Sequence, residues 1–254
     1  MTVKNRYPLP LIQELIDKLK GSNIFTKMDV RWGYNNIRIK EGDEWKAAFR
    51  TNRGLFEPTV MFFGLTNSPA TFQSFMNHIL KDLINQGHVI VYMDDILIFT
   101  DNLEEHRQIV RQVLDILQAN KLYLKPEKCT FEASEVDYLG IIVGNGTIRM
   151  DPKKVEVVKN WPVPEKKQEL QAFLGFCNFF RRFIKGFSSV AKPLTRLTGN
   201  SQWEWTSIEQ NAFDKLRDLI TNDVVLLIPR EDGKFRVEAD SSDLLIPRRL
   251  SNRS

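Results

Sequence analysis

Residues 89–99, Val-Ile-Val-Tyr-Met-Asp-Asp-Ile-Leu-Ile-Phe, set two acidic side chains between two strongly apolar runs. Both runs have strand length and strand composition, so the segment reads as a β-hairpin with Asp94-Asp95 as its two-residue polar step. Asp is common in turns, and a plain hairpin turn is one reading of the pair. Two adjacent carboxylates nevertheless repel each other unless something cationic binds them. A third carboxylate, Asp29, closes the apolar run 24–30. If that run lies beside the hairpin, Asp29, Asp94 and Asp95 converge at strand ends as an oxygen-rich site for Mg²⁺. Two such ions can clamp the attacking and leaving oxygens of an in-line phosphoryl transfer.

The surrounding pattern is that of an α+β fold with a mostly antiparallel sheet, in the order β-α-β-β-α-β. Apolar periodicity predicts a helix over 9–19, ending at Gly21, and strands over 24–30, 37–40 and 46–51. Ser68-Pro69 opens a helix running to 86, and Asn102 with Glu105 opens another running to 120. Strands over 138–143 and 147–150 flank Gly144-Asn145-Gly146, a strong hairpin turn signal. After Asp151-Pro152 the pattern turns helical, with helices over 165–183 and 189–197 and a third opening at Thr206 and Glu209 and running to 222. Strands over 224–228 and 235–239 read as joined through Asp232-Gly233, and the tail 244–254 loses periodicity.

At 254 residues, 42% hydrophobic and 27% charged, the chain has the balance of a globular protein of one or two domains. No apolar run approaches the roughly 18 residues of a transmembrane helix, so no membrane partner is expected. Residues 1–7 are polar and basic, without the apolar core of a secretory signal. Two cysteines, Cys129 and Cys177, cannot build a disulfide framework or a four-thiolate zinc site. His78, His88 and His106 match no zinc spacing.

The net charge of +4 is uneven: residues 153–196 hold ten Lys/Arg against three Glu, which leaves −3 for the rest. That window also carries Trp161 and six phenylalanines. Such a stretch can hold phosphates and stack on bases, or bury its aromatics as a helical stripe under a solvated charged face.

Tyr92-Met93-Asp94-Asp95 resembles the catalytic box of reverse transcriptases, and the words around it resemble the gypsy-type LTR retrotransposon family. Among them are Arg6-Tyr7-Pro8-Leu9-Pro10, Phe25-Thr26-Lys27-Met28-Asp29 and Phe63-Gly64-Leu65-Thr66-Asn67-Ser68-Pro69-Ala70-Thr71-Phe72-Gln73. Downstream, Leu124-Lys125-Pro126-Glu127-Lys128-Cys129, Tyr138-Leu139-Gly140 and Leu174-Gly175-Phe176-Cys177-Asn178-Phe179-Phe180-Arg181-Arg182-Phe183-Ile184 follow in the family's order. The resemblance covers about residues 4–243.

The resemblance implies an RNA-directed DNA polymerase that adds dNTPs to a primer on an RNA or DNA template. Asp29, Asp94 and Asp95, with the Val30 backbone, would hold two Mg²⁺ ions, for which Mn²⁺ can substitute. Asp94 would be the closer ligand of the pair and Asp95 the less critical. Tyr34 would be the aromatic gate that rejects a 2′-hydroxyl, and Trp32, Gly33, Phe63 and Gly64 would line the dNTP pocket. Lys128, or in its place Lys125, would protonate pyrophosphate. Template and primer would be met by Gln73, Tyr92, Met93, the grip Tyr138-Leu139-Gly140, and Lys153, Lys154, Arg181 and Arg182. The implied organisation is a palm over 1–150, a basic helical thumb over 151–200, a partial connection or RNase H-like start over 201–243, and a divergent tail over 244–254. A cytoplasmic particle, the nucleus, or both would be its place.

Three departures from the family pattern bear on these expectations. The basic fingers segment that precedes Arg6-Tyr7-Pro8 in the family is missing here, and Phe62 and Pro58 replace the usual proline and aromatic near the pocket. Asp240 matches the first metal-binding aspartate of RNase H, but its partners are missing, so no RNase H activity is expected. Together these suggest a fragment of a longer polyprotein or a decayed copy. The rival reading is an inactive remnant that only binds nucleic acid. A nucleotide cyclase with a related palm is a further alternative, and the basic stretch speaks against it.

Overall fold

The computed structural model describes residues 3–19, 21–181, 184, 186–199, 202–221, 225–227, 235–239 and 248–252. They fall into two compact units, one within 1–136 and 229–254, the other within 137–228. The packing thus divides at 136/137, ahead of the 150/151 junction expected from the sequence.

In the first unit, helix α1 (Ile12–Asp17) leads into strand β1 (Ile24–Asp29). The hairpin β2 (Phe49–Thr51) and β3 (Gly54–Phe56) comes next, followed by helices α2 (Ser68–Ile79) and α3 (Lys81–Gln86). The hairpin β4 (Val89–Tyr92) and β5 (Asp95–Thr100), helix α4 (Leu103–Ala119) and strand β6 (Thr130–Ala133) complete the sheet, whose order is β4-β5-β1-β6. Its pairs are antiparallel, so the expected α+β class holds.

The residues of the β4–β5 hairpin explain its central place. Val89, Val91, Ile96 and Ile98 join Met28, Phe72, Met76, Ile109, Val113 and Leu117 in one buried cluster. The alternate residues Ile90, Leu97 and Phe99 are buried as well. A strand covered on both faces needs apolar residues throughout, which is why the two runs show no alternation. Helix α4 presents Ile109, Val113 and Leu117 at four-residue spacing. Its start is fixed by Asn102, whose side chain accepts hydrogen bonds from the amides of Glu104 and Glu105.

Several expected elements differ. The helix over 68–86 is two, because Leu80 leaves helical geometry at φ −102° and ψ 12°. Leu80 N still bonds Met76 O, and Ile84 N bonds Leu80 O across the break. Residues 37–40 make only one isolated bridge, Arg38 to Val60. The side chains of Asn35 and Asn36 bond the backbone of Met61, Arg31 and Gly33 and hold a tight turn there instead. The strand over 46–51 shrinks to β2, preceded by a 3₁₀ turn over Glu44–Ala47.

In the second unit, strands β7 (Glu135–Tyr138), β8 (Ile141–Gly144), β9 (Thr147–Met150) and β10 (Val225–Leu227) form a sheet ordered β10-β9-β8-β7. The expected strand over 138–143 is interrupted because Leu139 and Gly140 both take positive φ. The turn Asn145-Gly146 also has two positive φ angles, 50° and 68°, as a two-residue hairpin of this kind requires. Helices α5 (Pro152–Lys159), α6 (Lys167–Phe179), α7 (Phe187–Leu197) and α8 (Ser207–Thr221) follow the basic stretch. Two of its aromatics, Phe173 and Phe180, are core, and the Phe173 ring lies 4.6 Å from that of Phe213 and 5.6 Å from that of Trp161, which is half-buried. Phe179 is partly exposed, with Lys154 Nζ over its ring at 5.2 Å.

The expected hairpin joining 224–228 to 235–239 is not formed. Strand β10 pairs with β9, and β11 (Phe235–Ala239) pairs with β12 (Arg248–Asn252) from the tail. Among the described residues, no helix is long and apolar enough to cross a membrane.

Candidate active site

Strand β1 lies against β5 in the register Phe25↔Phe99, Lys27↔Leu97, Asp29↔Asp95. Asp29 and Asp95 are therefore directly opposed on one sheet face, where like charges destabilise a strand pair. Asp95 also pairs with Tyr92 across β4–β5, so the hairpin loop is Met93-Asp94. This corrects the expectation that Asp94-Asp95 forms the turn. Met93 takes φ 53°, a left-handed conformation that costs a side-chain-bearing residue energy.

A buried glutamine holds that turn in place. Gln73, on α2, is wholly buried. Its Oε1 accepts from Met93 N at 2.7 Å, while its Nε2 donates to Val91 O at 3.1 Å and to Asn77 Oδ1 at 2.9 Å. The Gln73 amide, expected to meet template or primer, is here bonded to the hairpin backbone and to Asn77. Val30 N donates to Asp94 O at 2.9 Å and ties the turn to the end of β1.

Lysines surround the carboxylates. Lys125 Nζ lies 3.2 Å from Asp29 Oδ1, and Lys128 Nζ donates to Oδ2 at 3.4 Å. Lys27 Nζ is 3.9 Å from Asp95 Oδ1. Asp29 Oδ1 is buried and accepts no well-formed hydrogen bond; we take the Lys125 approach as a charge contact. Burial pushes the Asp95 carboxyl above its ordinary range, Lys27 opposes this, and the charges of Asp94 and Asp29 add to it. Asp95, opposite Asp29 in the register and next to Asp94 in the chain, is the carboxylate on which both neighbours press. Among the described residues, no three acidic, histidine or cysteine side chains converge into a ready metal cage. The donor set still suits a hard divalent cation: all ligand atoms are oxygens, one of them is a buried carboxylate oxygen with no hydrogen bond, and the site repels itself without a cation.

Beside the turn stands Tyr34, half-buried between Phe63 and Phe72 at ring distances of 4.9 and 5.8 Å. Its hydroxyl donates to Met93 Sδ at 3.3 Å, and burial, then the charge of Asp94, raises its pKa. Gly33 is buried under the turn, where an added Cβ would come 3.5 Å from the Asp94 Cβ. Trp32, with φ 58°, is 62% exposed and Phe63 is 74% exposed. Gly64, at φ 101°, has open space around it. Of these five residues, Gly33 and Tyr34 lie beside Asp94, and Phe63 packs on the Tyr34 ring.

The remaining expected site residues lie in the second unit, apart from Arg182 and Asp240, which fall outside the described residues. Tyr138 is buried, with its ring in the core of the second unit. The Lys154 ammonium end lies over Gly140, whose φ of 81° favours glycine. Lys153 and Arg181 are exposed, the latter with its guanidinium 5.8 Å from the Phe187 ring.

Sequence reasoning missed Lys27 and the supporting role of Gln73. Lys27 was visible as the residue two before Asp29 on the same strand face. Gln73 carried no comparable signal, because only the fold brings α2 under the turn.

Residues 1–143 match the family described as reverse transcriptase (RNA-dependent DNA polymerase). The chain is 38% identical over 253 residues to the retrovirus-related Pol polyprotein from transposon 297 of Drosophila melanogaster, covering 99% of this chain and 24% of that protein. It is 37% identical over 250 residues to the transposon Tf2-3 polyprotein of Schizosaccharomyces pombe, covering 98% and 19%. The chain thus spans about a fifth to a quarter of these relatives. Its fold is similar to that of a foamy viral protease–reverse transcriptase solved with an RNA/DNA hybrid, at a TM-score of 0.86 and 23% identity, covering 98% of this chain and 34% of that one. The same protein solved with double-stranded DNA gives 0.87 at 23% identity, covering 98% and 44%. With more than half of its length matched by the family, the chain belongs to the reverse transcriptases.

Proposed function

We propose that this chain carries the polymerase centre of a gypsy-type LTR retrotransposon reverse transcriptase. In this reading it extends a primer with dNTPs on an RNA or DNA template. The observation that carries it is the register that sets Asp29 opposite Asp95, with Asp94 in the adjoining turn. Asp29, Asp94 and Asp95 would hold two Mg²⁺ ions, or Mn²⁺ in their place; use of divalent ions is general in the family. When bound, the ions supply charge neutralisation at the reacting phosphate and activation of the primer hydroxyl.

The chain's own residues prepare the rest. Gln73 and Val30 fix the turn, so Asp94 and Asp95 are pre-placed rather than ordered at the moment of reaction. Tyr34, braced by Phe63 and Phe72, presents a rigid ring as the barrier to a 2′-hydroxyl. Lys128, with its ammonium already at the site, is the candidate acid for pyrophosphate. Lys153, Lys154 and Arg181 offer exposed or half-exposed cations for the backbone of template and primer.

The test is primer extension on an RNA template with Mg²⁺ and dNTPs, beside an Asp94→Asn, Asp95→Asn double variant. Extension that disappears in the variant is the expected result. Template–primer binding without any extension would favour the rival reading, a remnant that only binds nucleic acid.

A further inference from the structure

Only one of the two lysines on Asp29 has a part in the reading above, yet both approach it equally. Lys125 Nζ sits 3.2 Å from Oδ1 and Lys128 Nζ 3.4 Å from Oδ2, so each carboxylate oxygen has its own ammonium. Both lysines lie on one turn, and main-chain bonds attach that turn to the strand carrying Asp29. Lys125 N donates to Asp29 O at 3.0 Å, Leu124 bridges Val30, and Lys128 N donates to Lys125 O at 3.0 Å. Cys129 Sγ adds a contact to Lys125 O at 3.2 Å. The turn is thus fixed beside Asp29 whatever the lysine side chains do.

The two sides of the contact differ in freedom. The Asp29 side chain is 10% exposed and sits on a strand with neighbours on both sides, whereas the Lys125 and Lys128 side chains are 28% and 57% exposed. A lysine stem can swing its ammonium into water at little cost. The buried carboxylate cannot follow.

We propose that Lys125 and Lys128 form a cationic clamp that holds Asp29 in the metal-free protein and competes with the incoming divalent ion for the same two oxygens. The proposal rests on Asp29 being a metal ligand. The clamp neutralises the most buried of the three carboxylates, the one opposite Asp95, before any metal arrives, and it raises the metal concentration needed to load the site. Loading exchanges one ion pair for another. Both ammonium groups keep their protons, and the turn keeps its main-chain bonds. Lys125 is a positioning residue in this scheme, since it acts on the metal only through Asp29.

The test is Mn²⁺ titration of the purified chain without substrates, followed by electron paramagnetic resonance. Lys125→Gln removes one arm of the clamp at a partly exposed side chain, and should tighten Mn²⁺ binding by about fivefold, the scale of one lost competing ion pair. Lys125→Arg keeps the charge and should return the affinity to that of the parent. An unchanged or weaker affinity in Lys125→Gln, with binding lost in Asp29→Asn, overturns the clamp and leaves the metal reading standing. Mn²⁺ binding that survives Asp29→Asn unaltered overturns both.

Discussion

Strand β1 carries two polar clusters three residues apart, and they are built on opposite principles. At Thr26, every polar atom is accounted for. Thr26 Oγ1 accepts from Glu132 N at 3.1 Å and lies 2.7 Å from His106 Nε2, while His106 Nδ1 lies 3.0 Å from Thr100 Oγ1, which donates to Asn102 O. This order assigns the ring proton to Nδ1 and leaves Nε2 to accept from Thr26. His106, wholly buried, is a neutral structural pin between β1, β5 and α4. At Asp29 the accounting fails: a buried carboxylate oxygen lacks a hydrogen bond, a second carboxylate faces it across the ladder, and mobile lysines supply the missing charge. A satisfied cluster holds a fold together, whereas an unsatisfied one on the same strand marks the place where something else is meant to bind.

Substitutions sharpen this contrast. The largest effect is expected from Asp29→Asn, which should cut primer extension by about a thousandfold or more while the melting temperature changes little, because the lost repulsion from Asp95 offsets the lost lysine pairs. A matching loss of folding would erase the distinction between the two clusters. Tyr34→Ala should next weaken discrimination against ribonucleotides by about a hundredfold, measured as the ratio of kcat/KM for dNTP over NTP. Tyr34→Phe keeps the ring and loses only the bond to Met93, so it should leave that ratio nearly intact.

Gln73→Ala probes the link between the two kinds of cluster. It leaves Met93 N without its partner and should destabilise the first unit by about 2 kcal/mol in urea titration, with extension reduced in parallel. Loss of stability with full activity would show that the turn positions itself.

The smallest effect belongs to the closed cluster. Burial lowers the His106 pKa below its usual 6.5, against a weaker opposing pull from Glu132. Unfolded protein then binds the proton more readily than folded protein, so stability is whole above pH 6.5 and is lost as pH falls towards the lower folded value. His106→Leu should be less stable at pH 7.5 but flat between pH 7.5 and 5.5. A parent protein equally flat over that range would contradict a neutral, locked imidazole.

Much of this was legible along the chain. The apolar runs around Asp94-Asp95, the Asn102 cap and the Gly144-Asn145-Gly146 turn were read correctly, because each depends on residues within one turn or one strand. The placement of Asp29 beside the hairpin was only one arrangement the strands allowed, and the β1–β5 register decided it. The errors lie where distant partners decide. The turn over Gly33–Asn36 is held by Asn35 bonding Met61, and β11 pairs with β12 in the tail, not with β10. His106 gave no sign of its role, since a buried, doubly bonded histidine and an exposed one look alike in sequence.

What the sequence determined by itself was the local chemistry: which residues could be strands, which could cap helices, and which acids stood at strand ends. Only the tertiary structure decided what those acids face. Register brought Asp29 against Asp95, the packing of α2 spent Gln73 on the turn, and the loop after α4 delivered two lysines to one carboxylate. The physical reason is that periodicity and capping act over a few residues, whereas charge balance in a buried site is set by whatever the fold brings within a few ångströms.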